Sequence, residues 1–476
     1  MDSRVLKNLS WLVIANIFTK PLWFVFVIYS ANILGVNDFG IYTFSVSFLF
    51  MFSMLLDMGL EQLLVRDVAK NKDSINIYFN NAITYKFLAS ILVFIIVLMI
   101  IYFSDYSEKI KISLLIIFFF VFSTSFITFL RAFFRAYEKI KYESYSILIE
   151  KLGIILLATI GLFTGLKLYG FLLGLAIGNF ICLIVSGLLL FKKIDNLVFK
   201  PQLNKIKLLL KNALPFLIAD IFIIIMYRFS SVLIMFITGN EEQVGLYNSS
   251  YRLIEMYLAF PMMMVTPVYP FISRSFHENK EQSIDVASKI LKILLLVSFP
   301  ITIVVFFDYI RVNQFLFTKQ YIDAANGLKI IILTIIPLSI NVLFGTILAA
   351  INRQKEAAFS VGICMGINII LNFILISIFQ YIGAAITLVI SESLITLMYY
   401  LFVKKYFGNF NMSMFLKKFI LVVTLLIAIT IFLISINLNL IISLTFIFLF
   451  YLFIIFLLKL VKKEQIKEYY KMLISK

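Results

Sequence analysis

Fourteen mostly apolar runs, each of roughly 18 residues or more, recur along this chain and constrain its fold more than any other feature. A helix of about 20 apolar residues crosses ~30 Å of hydrocarbon. Hydrophobic residues make up 62% of the 476 positions and charged residues 14%, too few charges to coat a soluble globule. The sequence therefore predicts an all-α integral membrane protein with about 14 transmembrane helices, near residues 10–33, 40–62, 82–104, 112–135, 145–164, 169–191, 212–237, 246–271, 287–307, 328–350, 357–379, 382–403, 416–436 and 438–460.

Lysine and arginine residues concentrate in alternate connections between these helices. If the N-terminus is cytoplasmic, 30 of the 42 fall in inner segments and 6 in outer loops, as the positive-inside rule expects. The first apolar run, from Trp11 to about Ile33, is too long for a signal peptide and lacks a small-residue cleavage site, so we expect it to be retained. We predict a multi-pass protein of the cell inner membrane with both termini cytoplasmic. Contact with anionic membrane lipids then accounts for the net charge of +17 without a nucleic-acid partner.

The chain contains an internal repeat. Two turns each place Gly-(Ile/Leu)-Tyr at the start of an apolar helix, at Gly40 and at Gly245, and residues 169–193 correspond to residues 382–405. Each half has six helices, an even number, so both halves enter the membrane from the same side. We predict two parallel six-helix lobes around a central cavity, at 1–191 and 212–405, a cytoplasmic linker at 192–211, and two extra helices with a basic tail at 406–476.

Several stretches resemble a known family. They are Trp11-Leu-Val-Ile-Ala-Asn, Leu34-Gly-Val-Asn-Asp-Phe-Gly-Ile-Tyr, Asp57-Met-Gly-Leu, Arg66-Asp-Val-Ala and Gly245-Leu-Tyr with Tyr251-Arg-Leu. Over nearly its whole length the chain looks like a Wzx-type polysaccharide or O-antigen flippase of the multidrug/oligosaccharidyl-lipid/polysaccharide exporter superfamily. The resemblance implies alternating-access translocation of an undecaprenyl-pyrophosphate-linked oligosaccharide from the inner to the outer leaflet, for O-antigen, capsule or a related glycan. Other polysaccharide-assembly membrane proteins are expected partners. We expect no enzymatic activity and no cofactor.

Three cations at membrane depth are the predicted substrate-binding residues. Lys20 lies about ten residues into the first helix beside Pro21, Arg228 lies in the seventh helix, and Arg252 lies in the eighth. A charge near a helix centre costs roughly 2.5–3.5 kcal/mol on insertion scales, so such residues usually serve a function. A pyrophosphate needs cations of this kind when it passes a low-dielectric interior.

Structural interpretations of these and neighbouring charges stay open. Arg252 and Glu255 are three residues apart and can neutralise each other. Arg228 and Asp220 are eight apart and can form a weaker pair. Lys20 has no acid within one turn, which favours a functional role. Three further charges, close to the inner ends of their helices, are expected to extend toward the surface: Lys86, Glu150 and Lys151.

Two acids and two amides complete the candidate site. Asp57 in the second helix and Glu392 in the twelfth are candidates for binding a coupling proton or sodium ion, although Asp57 can equally pair with Lys86. Asn368 and Asn372, four residues apart on the eleventh helix, are candidates for lining the cavity. The sequence has one histidine and two cysteines, without any cluster typical of a metal centre or a disulfide framework.

Two other classes of function remain as alternatives. A cation-drug antiporter of the multidrug and toxin extrusion type would need an acidic cavity, whereas the central charges here are cations. A membrane-embedded glycosyltransferase or polymerase would carry its catalytic groups in a large outer loop. The longest predicted outer loop, about Asp308–Gly327, offers one Arg, one Lys and two Asp in no catalytic pattern.

Overall fold

A computed structural model describes residues 3–194, 197–410, 412–458 and 460 of the chain. Every regular element in these ranges is a helix. Three short 3-10 turns join them, at Lys72–Ser74, Lys319–Tyr321 and Ile332–Thr334. The α-helices are α1 Ser3–Leu34, α2 Val36–Asp57, α3 Leu60–Lys70, α4 Ile75–Phe103, α5 Glu108–Ala136, α6 Ile140–Leu162, α7 Leu168–Lys193, α8 Ile206–Thr238, α9 Glu241–Val265, α10 Val268–Glu278, α11 Lys280–Phe307, α12 Tyr309–Leu316, α13 Ala324–Ile331, α14 Ile335–Ala350, α15 Gln354–Phe379, α16 Tyr381–Tyr406, α17 Ser413–Ser435 and α18 Leu440–Leu457.

Fourteen helical segments in the described ranges are long and apolar enough to cross a membrane. The predicted fold class is therefore confirmed. Three of the segments contain a break that the apolar pattern did not reveal: Val36–Lys70, Glu241–Glu278 and Ala324–Ala350. In the first, Met58 and Gly59 adopt left-handed backbone angles (φ 45° and 70°) between α2 and α3. A hydrophobicity pattern cannot locate such a break, because the apolar composition continues across it.

The chain divides into two compact units, residues 1–248 and 249–476. In the first unit, small residues let α6 and α7 approach to backbone contact. A Cβ placed on Gly161 would lie 2.0 Å from the carbonyl oxygen of Gly170, and one on Gly174 would lie 2.4 Å from that of Leu157. Near the start of α4 and the end of α5, buried phenylalanines form a core with residues of α3 and α8.

The two Gly-(Ile/Leu)-Tyr turns of the repeat meet within the first unit. A Cβ on Gly40 would lie 1.9 Å from the carbonyl oxygen of Glu241, and one on Gly245 would lie 2.2 Å from that of Val36. The first turns of α2 and α9 thus pack backbone against backbone, and only glycine fits at either position. The repeated motif therefore marks a contact between its two copies.

In the second unit, the region predicted as the longest outer loop is largely helical. It contains α12 and the start of α13, and the fully buried Tyr321 accepts a hydrogen bond at its carbonyl from Asn313 Nδ2 (2.7 Å). Arg311 donates two hydrogen bonds to Asp308 (2.7 and 2.6 Å) and one to the carbonyl of Leu438 (2.6 Å). The bonds to Asp308 raise the pKa of Arg311. These charged residues are therefore used to fix the loop to the α17–α18 turn.

Candidate functional site

Lys20 lies in the middle of α1, which runs continuously through Pro21. Its side chain is exposed, and it forms no hydrogen bond or ion pair with the residues that the structure describes. Charged side chains within segments apolar enough to span a membrane often mark a functional site, and a role of Lys20 in substrate binding stays a prediction. Among the described residues Lys20 therefore has no acid partner, and the sequence likewise places no acid within one turn of it.

Arg228 lies in α8 and is half-buried. Its guanidinium carbon is 5.5 Å from the centre of the Phe50 ring on α2, a cation–π contact. Asp220, its suggested partner, instead accepts hydrogen bonds from Gln62 Nε2 at 3.3 Å to each carboxylate oxygen. Arg228 and Asp220 do not pair in the described part of the chain, so an aromatic face rather than an acid supports this cation.

The half-buried Asp57 forms an ion pair with the fully buried Lys86. The Lys86 ammonium is 2.6 Å from Asp57 Oδ1, and Ser125 bridges the two, accepting from Lys86 (2.6 Å) and donating to Asp57 (2.5 Å). The Lys86 side chain is only 1% exposed, so the expectation that it extends toward the surface is wrong. Asp57 therefore pairs with Lys86, one of the two roles that its sequence position allowed. The pair supplies each charge with its counter-charge inside the helix bundle.

A cavity of about 230 Å³ opens where α2 and α3 break. Asp57, Glu61 and Gln62 line one side of it, and Asp220 of α8 lines another. Glu61 is in turn 3.5 Å from Arg135 of α5. The cavity therefore gathers three carboxylates of the first unit, one of which was predicted as a coupling group.

Arg252 forms an ion pair with Glu255 one turn further along α9. The side chains are 11% and 33% exposed, respectively. The local pair that the sequence analysis held open is thus present. It places an acid directly beside the third predicted substrate cation.

Glu392 is buried in α16 of the second unit, at 2% exposure. Asn341 Nδ2 on α14 donates to Glu392 Oε2 (2.8 Å) and to its carbonyl (2.9 Å), and Thr396 donates to Asn341 Oδ1 (2.7 Å). This polar contact joins α14 to α16. It places an ionisable group where an apolar bundle interior would otherwise be expected.

Asn368 and Asn372 on α15 are both fully buried. Asn372 donates to Asn368 Oδ1 and Asn368 donates to Ser391 Oγ of α16, each at 2.8 Å. Both amides are buried in this conformation, and their role in lining the substrate cavity stays a prediction. They hydrogen-bond across the α15–α16 interface, because a buried amide is costly unless its groups are paired.

Sequence reasoning missed a second buried ion pair in the first unit. Arg131 on α5 lies 2.7 Å from Glu150 on α6 and donates to Ser146 (2.9 Å), while Lys151 also contacts Glu150 at 2.8 Å. Glu150 is 6% exposed, so the expectation that it reaches the surface is wrong. The available signal was an arginine and a glutamate on consecutive helices joined by a short turn.

No cluster of three or more His, Cys, Asp or Glu side chains able to hold a metal ion occurs among the residues described.

The structure does not bring the predicted site residues together into one group; most of them contact a different partner each. Asp57 joins Lys86, Glu392 joins Asn341, Asn368 joins Asn372, and Arg252 joins Glu255, while Lys20 and Arg228 form no ion pair or hydrogen bond with another predicted site residue.

Two family models and two curated relatives match the chain. A family model described as polysaccharide biosynthesis protein matches residues 5–276, and one described as MatE matches residues 215–374. A probable low-salt glycan biosynthesis flippase, Agl15 of Haloferax volcanii, is 27% identical over 176 residues, which span 36% of this chain and 37% of Agl15. The match thus spans little more than a third of that relative. An uncharacterised membrane protein of Methanocaldococcus jannaschii, MJ1068, is 20% identical over 448 residues, covering 88% of this chain and 87% of its own.

Solved structures share the fold at low sequence identity. An inward-closed structure of the lipid II flippase MurJ aligns with a TM-score of 0.76 and 16% identity, over 93% of this chain and 97% of its own. An inward-facing multidrug resistance MATE family transporter of the MOP superfamily aligns with a TM-score of 0.64 and 14% identity, over 84% and 98%. These likenesses establish a common architecture.

Proposed function

Because the chain belongs to the polysaccharide biosynthesis protein family, we propose that it is a flippase for undecaprenyl-pyrophosphate-linked oligosaccharides. It moves them from the inner to the outer leaflet of the cytoplasmic membrane by alternating access. The observation that carries this proposal is Lys20, an exposed ammonium within a membrane-spanning helix that has no acid partner among the described residues. A cation is expensive there, and the pyrophosphate of the substrate supplies the compensating charge.

In this mechanism Lys20, Arg228 and Arg252 bind the pyrophosphate as it crosses the bilayer, while the glycan stays in water and the prenyl tail stays in lipid. Arg228 offers a planar guanidinium suited to phosphate oxygens, and the Phe50 ring steadies it from one side. Arg252 is already balanced by Glu255, so it acts as a weaker, secondary contact. Lys20 is the primary anion contact.

The proposed architecture consists of six-helix lobes at 1–191 and 212–405 around the substrate path, with both termini cytoplasmic. Single cysteines at Arg311 and Lys476 test it by labelling with a membrane-impermeant maleimide in intact cells. The native Cys182 and Cys364 are fully buried, so their background labelling is low. We expect labelling at 311 only. Labelling of both positions from the same side contradicts this topology.

Ion coupling is the second part of the proposal, with Asp57 or Glu392 as the carrier. Asp57 lines the cavity between α2, α3 and α8 beside two further carboxylates, an environment that attracts cations. Transport in proteoliposomes should then respond to an imposed proton or sodium gradient. Glu392→Gln, or Asp57→Leu combined with Lys86→Met so that no buried charge is left unpaired, should remove that response. Equal rates with and without either gradient refute coupling, and downstream consumption of the product then provides the direction.

The central experiment uses the purified chain in proteoliposomes with a fluorescent undecaprenyl-pyrophosphate oligosaccharide, whose outer-leaflet fraction is measured by dithionite bleaching. We expect faster and more complete bleaching than in protein-free vesicles. Lys20→Ala should abolish the gain and Lys20→Arg should retain part of it. Wild-type transport by a folded Lys20→Ala, Arg228→Ala double variant refutes the proposed site.

A multidrug and toxin extrusion-type antiporter is the second candidate. The MatE model matches residues 215–374, and the cavity bordered by Asp57, Glu61 and Asp220 suits an organic cation better than an anion. Uptake of a fluorescent cation such as ethidium against a proton or sodium gradient tests it. Gradient-driven uptake without oligosaccharide transport favours the antiporter, and the reverse result favours the flippase.

A further inference from the structure

The segment before α8 is fixed to α4 by a ladder of hydrogen bonds. Three backbone amides of the irregular segment 197–203, two residues apart, donate to three side chains that are four residues apart on the helix. Val198 N bonds to Asn76 Oδ1 (2.9 Å), Lys200 N to Asn80 Oδ1 (2.8 Å) and Gln202 N to Thr84 Oγ1 (3.2 Å). A fourth bond, from Lys205 N to Asn81 Oδ1 (3.0 Å), closes the series.

The two spacings agree for a geometric reason. Two residues of extended chain advance about 6.6 Å, and four residues of α-helix advance about 6.0 Å. Amides of residues 198, 200 and 202 can therefore pair in order with one face of α4. Pro201, which has no amide hydrogen, falls between two bonding positions. The segment 197–205 is thus held against α4 as an ordered part of the first unit.

This fixed segment and the start of α8 present both charge and apolar area to the surroundings. Lys200, Lys205, Lys207 and Lys211 are exposed, and residues 197–219 include no acid. Large apolar side chains alternate with them at 57% to 65% exposure: Val198, Phe199, Leu203 and Leu208. The candidate membrane span Asp220–Thr238 continues the same helix, so these residues precede the hydrocarbon along the chain.

We propose that residues 197–211, held by the α4 ladder, form a docking surface for anionic phospholipid headgroups at the bilayer surface. The lysines pair with lipid phosphates, and the exposed apolar side chains enter the acyl boundary. A lipid surface rather than an acidic protein is the occupant, since the chain enters a membrane span directly after this segment and its exposed apolar residues are interspersed with the lysines. This inference is independent of the transported substrate.

The test places a bimane fluorophore on Leu203→Cys in the full-length chain, with Met414→Cys as the reference site, in phosphatidylcholine nanodiscs. Met414 is 76% exposed, and the native cysteines are buried. The nanodiscs contain either spin-labelled phosphatidylglycerol or spin-labelled phosphatidylcholine at the same mole fraction. We expect the anionic label to quench the Leu203 site at least twofold more strongly. Equal quenching by the two lipids, or quenching by neither, overturns the proposal.

Two variants separate a specific surface from diffuse attraction. Replacing Lys200, Lys205, Lys207 and Lys211 with Gln should abolish the preference at Leu203. The matched control replaces Lys404, Lys405, Lys417 and Lys418, which are also exposed, with Gln. It removes the same net charge and should leave the preference unchanged. Equal loss in both variants shows diffuse attraction and refutes the surface.

The ladder has its own variant, Asn76→Ala with Asn80→Ala, which keeps every lysine. Releasing the segment should reduce the preference at Leu203 by more than half in protein that elutes as wild type on gel filtration. An unchanged preference in that folded protein refutes the role of the ladder. If the double variant does not fold, Thr84→Val, which removes the acceptor of the Gln202 amide alone, provides the same comparison.

Discussion

Two groups of cationic residues in the first unit differ in whether a carboxylate of the protein pairs with them. Lys86 and Arg131 lie inside the helix bundle, each within 2.7 Å of a carboxylate. Lys20 and Arg228 lie on α1 and α8 and have no ion-pair partner among the described residues. All four belong to helices apolar enough to span a membrane. The difference separates charges that pair with an acid of the protein from charges that have no such partner among the described residues, and the second group holds two of the cations that we propose bind the substrate.

The energetics of burial explain the division. Removing two ions from water costs several kcal/mol each, so a buried cation persists only where an acid and further hydrogen bonds meet it. Lys86 has both, in Asp57 and Ser125. Lys20 has neither among the described residues, yet it is exposed, and an exposed position within a spanning helix is tolerable if it faces water or a bound anion.

The largest expected effect is on the neutralised group. Lys86→Ala leaves Asp57 without its cation in a largely buried position, and breaking such a pair destabilises a protein by about 3 kcal/mol or more. We expect a much reduced yield of monodisperse protein on fluorescence-detected gel filtration and a lower thermal midpoint. Lys70→Ala, at an exposed residue, serves as the control and should behave as wild type.

A double replacement distinguishes a structural pair from a functional one. Lys86→Met with Asp57→Leu removes both charges and should restore most of the folded yield, because apolar replacement of a whole buried pair is often close to neutral. If this variant still transports but ignores ion gradients, Asp57 is the coupling group. A stable Lys86→Ala single variant contradicts the distinction between the two groups of charges.

Lys20 should show the opposite behaviour, with transport lost and stability kept. A charge-assisted hydrogen bond is worth about 1.5–3 kcal/mol, so Lys20→Ala should lower the initial flipping rate roughly ten- to 150-fold. Its thermal midpoint should match that of wild type, since no described residue depends on the ammonium. A destabilised Lys20→Ala variant, or one that transports normally, moves Lys20 into the structural group.

The sequence predicted the fold well and the pairing of charges poorly, for one physical reason. Apolar length and Lys/Arg bias act along the chain, so all fourteen spans were predictable. Contacts such as Arg131 with Glu150 depend on how helices rotate against each other, which spacing within one helix does not determine. Arg252 with Glu255 was foreseeable because its partner lies on the same helix. The contact of Arg228 with Phe50 could not be foreseen, because the Phe50 ring lies on a different helix, α2.

Variants of Phe50 and Arg228 test whether the contact of the Arg228 guanidinium with the Phe50 ring supports binding of the substrate. Phe50→Leu keeps the apolar volume and removes a cation–π contact worth about 0.5–1 kcal/mol, so transport should fall roughly two- to fivefold. Arg228→Lys should fall further, because the ammonium lacks the planar fork for phosphate. The measurement is the same flipping rate. Phe52→Leu, at a half-buried ring on α2 two residues further along the chain, is the control and should change little.

The smallest effect is expected at Arg252, which both pairs with an acid of the protein and is a proposed substrate contact. Its charge is balanced by Glu255 on the same helix, and pairs of this spacing contribute about 0.2–0.5 kcal/mol. Because Glu255 competes with the substrate for the guanidinium, Arg252→Ala should reduce flipping by no more than about twofold. Glu255→Gln removes the competing carboxylate, so it should lower the substrate concentration needed for half-maximal transport, an effect that a purely structural pair would not produce. The double variant should then resemble Arg252→Ala. A loss of transport in Arg252→Ala as large as in Lys20→Ala contradicts this ranking and makes Arg252 a primary contact despite its acid.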